Sequence, residues 1–259
     1  IVRSNDTAKI LINIIFVALT KSTERWQSVE RIDWTTIFKL AAKQGVIAIA
    51  WEGIEQLTNE GLLSAEQLPE RTVKLQWALS IDNIVKRYRR QEALIGKLAA
   101  FYKSHDIRMM LLKGYGISLL YPTPEHRECG DIDIWLEGGC DKVIEYVRSI
   151  IPDCKPTYHH VDFNVLNGID IEVHYRPTWM YNPSNNRNLQ RFFAERSDTE
   201  FIHTTKTNEG RLHIPTATFN MVFIPVHIFR HLFSEGIGMR QILDYYFVMQ
   251  QKERQSERA

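Results

Sequence analysis

The stretch Gly130-Asp131-Ile132-Asp133-Ile134 alternates acidic and apolar side chains, and this pattern predicts a β-strand from Asp131 to Leu136. Side chains alternate between the two faces of a strand, so Asp131, Asp133 and Trp135 share one face. The two aspartates are about 7 Å apart along the backbone, which is two strand rises. Carboxylates this close repel each other unless a cation lies between them or one is protonated. The strand is therefore a candidate divalent metal site. For the pair taken alone, two solvated carboxylates are the favoured interpretation, and the neighbouring motifs shift the balance towards a metal.

A β-hairpin is predicted downstream, with strands from about His159 to Leu166 and from Asp170 to Tyr175. A two-residue Asn-Gly turn would mix apolar and acidic groups on each face, whereas the three-residue turn Asn167-Gly168-Ile169 separates them. The predicted cross-strand pairs are Val165–Ile171, Phe163–Val173 and Val161–Tyr175 on the core face, and Leu166–Asp170, Asn164–Glu172 and Asp162–His174 on the polar face.

Glu172 lies on the polar face of this predicted hairpin, together with Asp170 and His174. If the hairpin flanks the strand of Asp131 and Asp133, three carboxylates meet. That is the usual requirement for two Mg²⁺ ions about 3.5–4 Å apart. The alternative for Glu172 is an ordinary solvent-facing strand residue. Asp170 competes as the third ligand, but it lies nearer the turn.

A glycine turn follows a predicted apolar strand from Arg108 to Leu112. In Lys113-Gly114-Tyr115-Gly116, glycine lets the backbone approach a ligand, and the start of the next helix offers unpaired N–H groups to phosphate. Lys113 adds a positive charge, although the Gly-Lys-Ser/Thr order of a Walker loop is absent. A plain strand-to-helix turn is the favoured alternative for this stretch taken alone.

The composition of the 259-residue chain is that of an ordinary globular protein, with 44% hydrophobic and 24% charged residues. The formal net charge of +1 gives no overall attraction to nucleic acid. Cys129, Cys140 and Cys154 form no CxxC pair, which favours a reducing cytoplasm. The apolar run from Ile10 to Leu19 is too short to span a bilayer, and Asp6 argues against a signal peptide. Both ends are consistent with a segment cut from a longer protein.

The order of elements predicts an α+β protein, in which a small mixed β-sheet core lies between two helical regions. Helical periodicity dominates residues 1–105, where Asp33 is predicted to cap a helix. The core spans 106–180. Residues 181–259 are mainly helical, with one short predicted strand from Leu212 to Ile214. We therefore expect three regions with these boundaries.

Together these features resemble the nucleotidyltransferase superfamily, which includes polymerase β and the antibiotic adenylyltransferases. In that superfamily a glycine-led turn precedes a strand with Asp-x-Asp, and a later strand carries a third carboxylate. More narrowly, the chain resembles the uncharacterised bacterial nucleotidyltransferase family over nearly its whole length. The matching stretches are Leu111-Leu112-Lys113-Gly114, Tyr121-Pro122, Arg127 with Gly130-Asp131-Ile132-Asp133-Ile134, Ile171-Glu172-Val173-His174 and Gly238-Met239-Arg240-Gln241-Ile242-Leu243-Asp244, together with Ile32-Asp33-Trp34, Leu40-Ala41 and Gly45-Val46.

The resemblance implies transfer of a nucleoside monophosphate from an NTP, with ATP favoured, to a hydroxyl of a small molecule, sugar or protein. It implies that Asp131, Asp133 and Glu172 are the catalytic residues and hold two Mg²⁺ ions, with Mn²⁺ as the alternative. The implied nucleotide contacts are Lys113, Gly114, Arg127, Gly130, His174 and Arg240.

Two departures from the superfamily pattern concern the phosphate turn. Lys113-Gly114 stands where Gly-Ser is usual, and the spacing from Gly114 to Asp131 is longer than the norm. For Arg127 the alternative to phosphate contact is a salt bridge to one of the aspartates. For Arg240 it is an ion pair with Asp244, four residues later on the same helix.

Two histidine pairs, His159-His160 and His227 with His231, have the donors for zinc, but the sequence shows no third ligand and no HExxH motif. Structural or surface roles are therefore favoured for them. Two other functions stay open: a catalytically silent module that binds a nucleotide or a partner, and a nucleotidyltransferase of the toxin–antitoxin kind. The sequence specifies neither the acceptor nor the oligomeric state.

Overall fold

The computed structural model describes residues 4–27, 29–163, 165, 168–234 and 236–257. Within these ranges six strands form one mixed sheet among nine α-helices, which confirms the predicted α+β class. The helices are α1 (Ser4–Thr20), α2 (Trp34–Gln44), α3 (Ile47–Asn59), α4 (Arg71–Ser104), α5 (Gly114–Ser118), α6 (Gly139–Ile150), α7 (Pro183–Glu200), α8 (Ala217–Ser234) and α9 (Met239–Ser256). The strands are β1 (Met109–Leu111), β2 (Ile132–Leu136), β3 (His160–Asp162), β4 (Ile171–His174), β5 (Thr204–Thr207) and β6 (Gly210–His213).

No helix in the ranges just given is both long enough and apolar enough to cross a membrane. The chain divides into two compact units, each made of several separate stretches. The first unit comprises Ile1–Arg87, Glu125–Glu128 and Gly238–Arg240, and the second comprises Tyr88–Pro124, Cys129–Ile237 and Gln241–Ala259. The boundaries expected near residues 105 and 180 stay a prediction.

Trp77 lies at the centre of the first unit and is fully buried. The ring of Phe38 lies 5.2 Å from it and that of Trp51 5.5 Å, and its indole N–H donates to the Ile47 carbonyl at 3.0 Å. Asp33 caps α2 as predicted, because its carboxylate accepts the backbone N–H of the third residue of the helix.

The sheet belongs to the second unit and has the strand order β3-β4-β2-β1-β6-β5. β2 is antiparallel to β1 and parallel to β4, so it has a hydrogen-bonded neighbour on each side. At one edge of the sheet β3 pairs antiparallel with β4, and at the other edge β5 pairs antiparallel with β6. Residues of β2 can therefore meet side chains that come from β4 and from the end of β1.

The two faces of β2 differ as the alternating sequence predicts. On one face, Trp135 packs against Phe201 and Phe219, with ring centroids 4.8 and 5.9 Å apart. Asp133 shares that face. The opposite face contributes aliphatic side chains to the hydrophobic core, and each stabilises the fold by about 1.5–3 kcal/mol. These core residues are Ile132, Ile134 and Leu136.

The predicted register of the hairpin is wrong by two residues. β3 and β4 pair Val161 with Val173 and Asp162 with Glu172, rather than Val161 with Tyr175 and Asp162 with His174. A shift of two keeps every side chain on its predicted face, because the side-chain period of a strand is two. β3 ends at Asp162 and β4 begins at Ile171, so the connection is longer than the predicted three residues, and part of it (residues 164, 166 and 167) lies outside the described residues.

Candidate metal centre

The parallel pairing of β2 with β4 brings two of the predicted carboxylates together. Asp133 is the direct neighbour of Glu172 across this pairing, and Trp135 is the neighbour of His174. The Asp133 side chain is completely buried, whereas that of Glu172 is 27% exposed. One carboxylate is thus held inside the sheet and the other lies towards solvent.

His174 lies against both carboxylates. Its Nε2 is 3.0 Å from Oδ1 of Asp133 and 3.2 Å from Oε2 of Glu172. Ligand atoms of these three residues all lie within 4.8 Å of one another, which is close enough to hold one ion. The role of His174 as a nucleotide contact stays a prediction; its buried ring lies against both carboxylates.

Lys113 follows β1 and supplies a positive charge to the same place. The backbone N–H of Leu112 donates to the Asp133 carbonyl at 3.0 Å, which brings the end of β1 alongside the aspartate. The Lys113 ammonium is 2.9 Å from Oδ1 of Asp133 and 3.7 Å from Oδ2 of Asp131. Gly114 opens α5 with a φ of +51°, a conformation that glycine adopts without steric cost.

Asp131 is the least enclosed of the three predicted ligands. Its side chain is 41% exposed, and it lies just before the first residue of β2. Among the described residues it belongs to none of the groups of three whose ligand atoms converge within 4.8 Å. The structure therefore brings Asp133 and Glu172 together and leaves Asp131 at the rim, joined to them through Lys113.

The electrostatics of the centre are set by burial and by the paired charges. Burial alone would raise the pKa of Asp133, but the Lys113 ammonium and the His174 ring outweigh it and hold this pKa well below its usual range. Burial would lower the pKa of Lys113, and the carboxylates around it reverse the effect, so its pKa is raised. The pKa of His174 is likewise raised, because its contacts with Asp133 and Glu172 outweigh burial.

The centre fits a divalent cation in its donor chemistry. Oδ2 of Asp133 is buried and accepts no hydrogen bond in the described structure. A buried carboxylate oxygen without a partner is costly and rare in native proteins. Carboxylate oxygens are the ligands that Mg²⁺ prefers. Asp133 and Glu172, with Asp131 at the rim, could therefore hold such an ion.

The other predicted nucleotide contacts are placed differently. The Gly130 carbonyl, in the second unit, accepts a hydrogen bond from the Gln91 side chain. Arg127 and Arg240 belong to the first unit, where each donates to the Glu128 carbonyl, at 3.1 and 2.8 Å. Asp244, proposed above as an ion partner of Arg240, accepts the Tyr121 hydroxyl at 2.7 Å.

Three more residues lie near the carboxylates: His159 and His160, for which the sequence favoured a structural or surface role, and Arg230, which was not considered. Nδ1 of His160 lies 3.7 Å from Oε2 of Glu172, and His159 lies against both His160 and the guanidinium of Arg230. Burial, together with the positive charges around it, lowers the pKa of His159 to about 2. The correct hairpin register would have revealed His160, because it stands directly opposite His174.

A family model described as an uncharacterised nucleotidyltransferase matches residues 30–259. None of the curated proteins matches the chain. A crystal structure of an antigenic nucleotidyltransferase-like protein from Paracoccidioides brasiliensis is similar to it, with 12% identity and a TM-score of 0.36, over 60% of this chain and 73% of that one. The family match covers most of the sequence and includes every residue of the centre. The chain therefore belongs to the uncharacterised nucleotidyltransferase family.

Proposed function

We propose that this protein is a Mg²⁺-dependent nucleotidyltransferase, which moves a nucleoside monophosphate from an NTP, with ATP favoured, to a hydroxyl of a small molecule, sugar or protein. The observation that carries the proposal is the parallel pairing of Asp133 with Glu172, together with the buried and unpartnered Oδ2 of Asp133. Family membership supports the class of reaction.

In this proposal Asp131, Asp133 and Glu172 hold two Mg²⁺ ions, or Mn²⁺ in their place. Bound divalent ions would neutralise the charge that develops on the transferred phosphoryl group. The Asp133 carboxylate is rigid because it is buried and oriented by His174. Glu172 is the more exposed ligand, and in this proposal it helps to activate the acceptor hydroxyl.

Lys113 compensates the charge of the carboxylates, since its ammonium lies against Asp133. When a divalent ion occupies the carboxylates, the ammonium is free to contact a phosphate oxygen. Gly114, Gly130, Arg127 and Arg240 remain proposed nucleotide contacts. We also place the enzyme in a reducing cytoplasm, which its three unbridged cysteines support.

The pairing of Lys113 with Asp133 also favours one competing function. An ammonium at 2.9 Å can replace a metal as the counter-charge of the buried aspartate. A protein in which the Lys113 ammonium replaces the metal would be a catalytically silent module that binds a nucleotide or a partner without a metal. The test below separates the two.

The test is a screen of all four NTPs with Mg²⁺ or Mn²⁺, measured as pyrophosphate release and as labelling of candidate acceptors. We expect Asp133→Asn and Glu172→Gln each to lower the rate by roughly 10³-fold, since a metal stabilises the transition state by several kcal/mol and each 1.4 kcal/mol is tenfold. The matched control is Asp170→Asn, an exposed carboxylate two residues before Glu172, which should keep the wild-type rate.

Nucleotidyl transfer would be contradicted if an NTP binds without a divalent ion and if Asp133→Asn leaves that binding unchanged. That result would support the silent module. Equal losses in Asp170→Asn and Glu172→Gln would contradict the assignment of the third ligand and would return Asp170 to that role.

A further inference from the structure

Three imidazole rings meet beside the carboxylates. His160 is the first residue of β3, His159 lies just before it, and His174 ends β4 directly opposite His160. The ring centroids are 4.4 Å apart for His159 and His160, 5.3 Å for His159 and His174, and 5.4 Å for His160 and His174. The third histidine that the sequence pattern lacked is thus supplied by the neighbouring strand.

Two of these separations, those that involve His174, match three imidazoles around one tetrahedral ion, and the separation of His159 from His160 is shorter. With metal–nitrogen bonds of about 2.0–2.1 Å, the ligand nitrogens are about 3.3 Å apart and the ring centroids about 5.2 Å apart. Nε2 of His159 lies 3.2 Å from Nδ1 of His160. One nitrogen from each of the three rings lies within 4.8 Å of the other two. The nitrogen of His174, at up to 4.8 Å from the other two, must approach them to about 3.3 Å for the three to share one ion.

The buried ring of His174 has a nitrogen without a partner. Its Nε2 faces Asp133 and Glu172, while its Nδ1 is buried and makes no hydrogen bond in the described structure. Histidines that bind metals commonly donate their other ring N–H to a carboxylate, which fixes the tautomer and the ring orientation. His174 is held in that way, with Nδ1 as the nitrogen left for a metal.

We propose that His159, His160 and His174 form a second metal centre, selective for Zn²⁺ and similar transition metals. Imidazole nitrogens suit Zn²⁺, Cu²⁺ and Ni²⁺, whereas Mg²⁺ takes oxygen ligands, so this centre and the carboxylates select different ions. Three protein ligands leave a fourth position for water or substrate. A metal on Nδ1 of His174 keeps Nε2–H as a donor and so fixes Asp133 and Glu172 in their observed orientation.

Arg230 opposes this binding. Its Nη1 lies 3.3 Å from Nε2 of His159, and its guanidinium is stacked on Trp179 at 4.9 Å from the ring centroid. A positive charge at this distance repels a metal cation. The Arg230→Gln variant should therefore bind Zn²⁺ more tightly than the wild type, by about tenfold for a 1.4 kcal/mol change.

The test is a calorimetric titration of the metal-free chain with Zn²⁺, without nucleotide and with Mg²⁺ in excess. We expect one Zn²⁺ per chain. His159→Ala and His160→Ala should each weaken binding by more than about 100-fold, because changes to residues behind the ligands already cost 10–100-fold. His105→Ala, an exposed histidine at the end of α4, is the matched control and should bind like the wild type.

A spectroscopic readout does not depend on how well the variants fold. Cu²⁺ bound to the wild type should show electron paramagnetic resonance couplings to three nitrogens. Fewer than three, or Zn²⁺ binding that His160→Ala leaves intact, would overturn the proposal. Asp131→Asn separates it from nucleotidyl transfer, since this variant should lose transfer and keep Zn²⁺.

Discussion

At the scale of single residues, the buried pair of Lys113 and Asp133 dominates the energetics of the centre. The Asp133 side chain has no exposed surface, and that of Lys113 is 16% exposed. Removal of one partner from a buried ion pair typically costs 3–5 kcal/mol, because the other charge is left uncompensated. The pair is therefore a stabilising element of the fold as well as a part of the proposed site.

The Lys113→Met variant tests how much the Lys113 ammonium stabilises the buried Asp133. Without Mg²⁺ we expect its free energy of unfolding to fall by about 3–5 kcal/mol, since Asp131, Asp133 and Glu172 lose their counter-charge. Mg²⁺ should then raise its melting temperature more than that of the wild type, because the ion no longer competes with the ammonium.

Thermal melting with and without Mg²⁺ measures both effects. Lys206→Met, which removes an exposed lysine of β5, is the control and should behave like the wild type. A Mg²⁺-dependent shift in Lys113→Met that is no larger than in the wild type would argue that the carboxylates do not bind the ion.

At the scale of elements, local patterns predicted the type and the faces of the strands and the antiparallel hairpin of β3 with β4, but not the register of that hairpin. Alternation along β2 and β4 placed Asp133, Glu172 and His174 on polar positions, because it depends only on neighbouring residues. The register of β3 against β4 depends on hydrogen bonds between distant residues and on the length of the turn. The apolar and polar pattern, which set the predicted register, cannot distinguish registers two residues apart, and the prediction was wrong by two residues.

The cap of α2 gives a prediction with a pH dependence. The carboxylate of Asp33 accepts hydrogen bonds from the backbone N–H and the hydroxyl of Thr36, and these lower its pKa from the ordinary value of 3.8. Asp33→Ala should lower stability by about 1 kcal/mol at neutral pH. Because the folded-state pKa is depressed, the contribution of the charged cap to the free energy of unfolding is fully present above the unfolded-state pKa. This contribution is lost as the pH falls through the folded-state pKa.

Urea unfolding from pH 7 to pH 2 checks this dependence. The stability difference between the wild type and Asp33→Ala should shrink at the acid end. Asp33→Asn keeps a capping oxygen that does not titrate, so its difference from Asp33→Ala should stay constant with pH. If the stability difference between the wild type and Asp33→Ala grew as the pH fell, the predicted direction of the pH dependence would be wrong.

At the scale of the whole molecule, charge and composition limit the partners. A formal net charge of +1 on 259 residues provides no general attraction to the phosphate backbone of nucleic acid. We expect no binding of non-specific duplex DNA or RNA at micromolar protein and physiological salt. Fluorescence anisotropy with labelled duplexes measures this, and an affinity that falls steeply as salt rises from 50 to about 200 mM would contradict it.

The sequence by itself determined the α+β class, the helix cap at Asp33 and the polar face that carries Asp131, Asp133 and Glu172. These features follow from periodicity and from local hydrogen bonding, which are properties of neighbouring residues. Family membership also follows from the sequence, because the match extends over residues 30–259.

Only the tertiary structure decided which of these groups meet. Parallel pairing put Glu172 beside Asp133, the end of β1 brought Lys113 to both aspartates, and His174 turned out to contact the carboxylates and to complete a cluster with His159 and His160. The reason is physical: the burial of Asp133 and the choice of its partners depend on strands that are distant in sequence, and no local pattern encodes their distances.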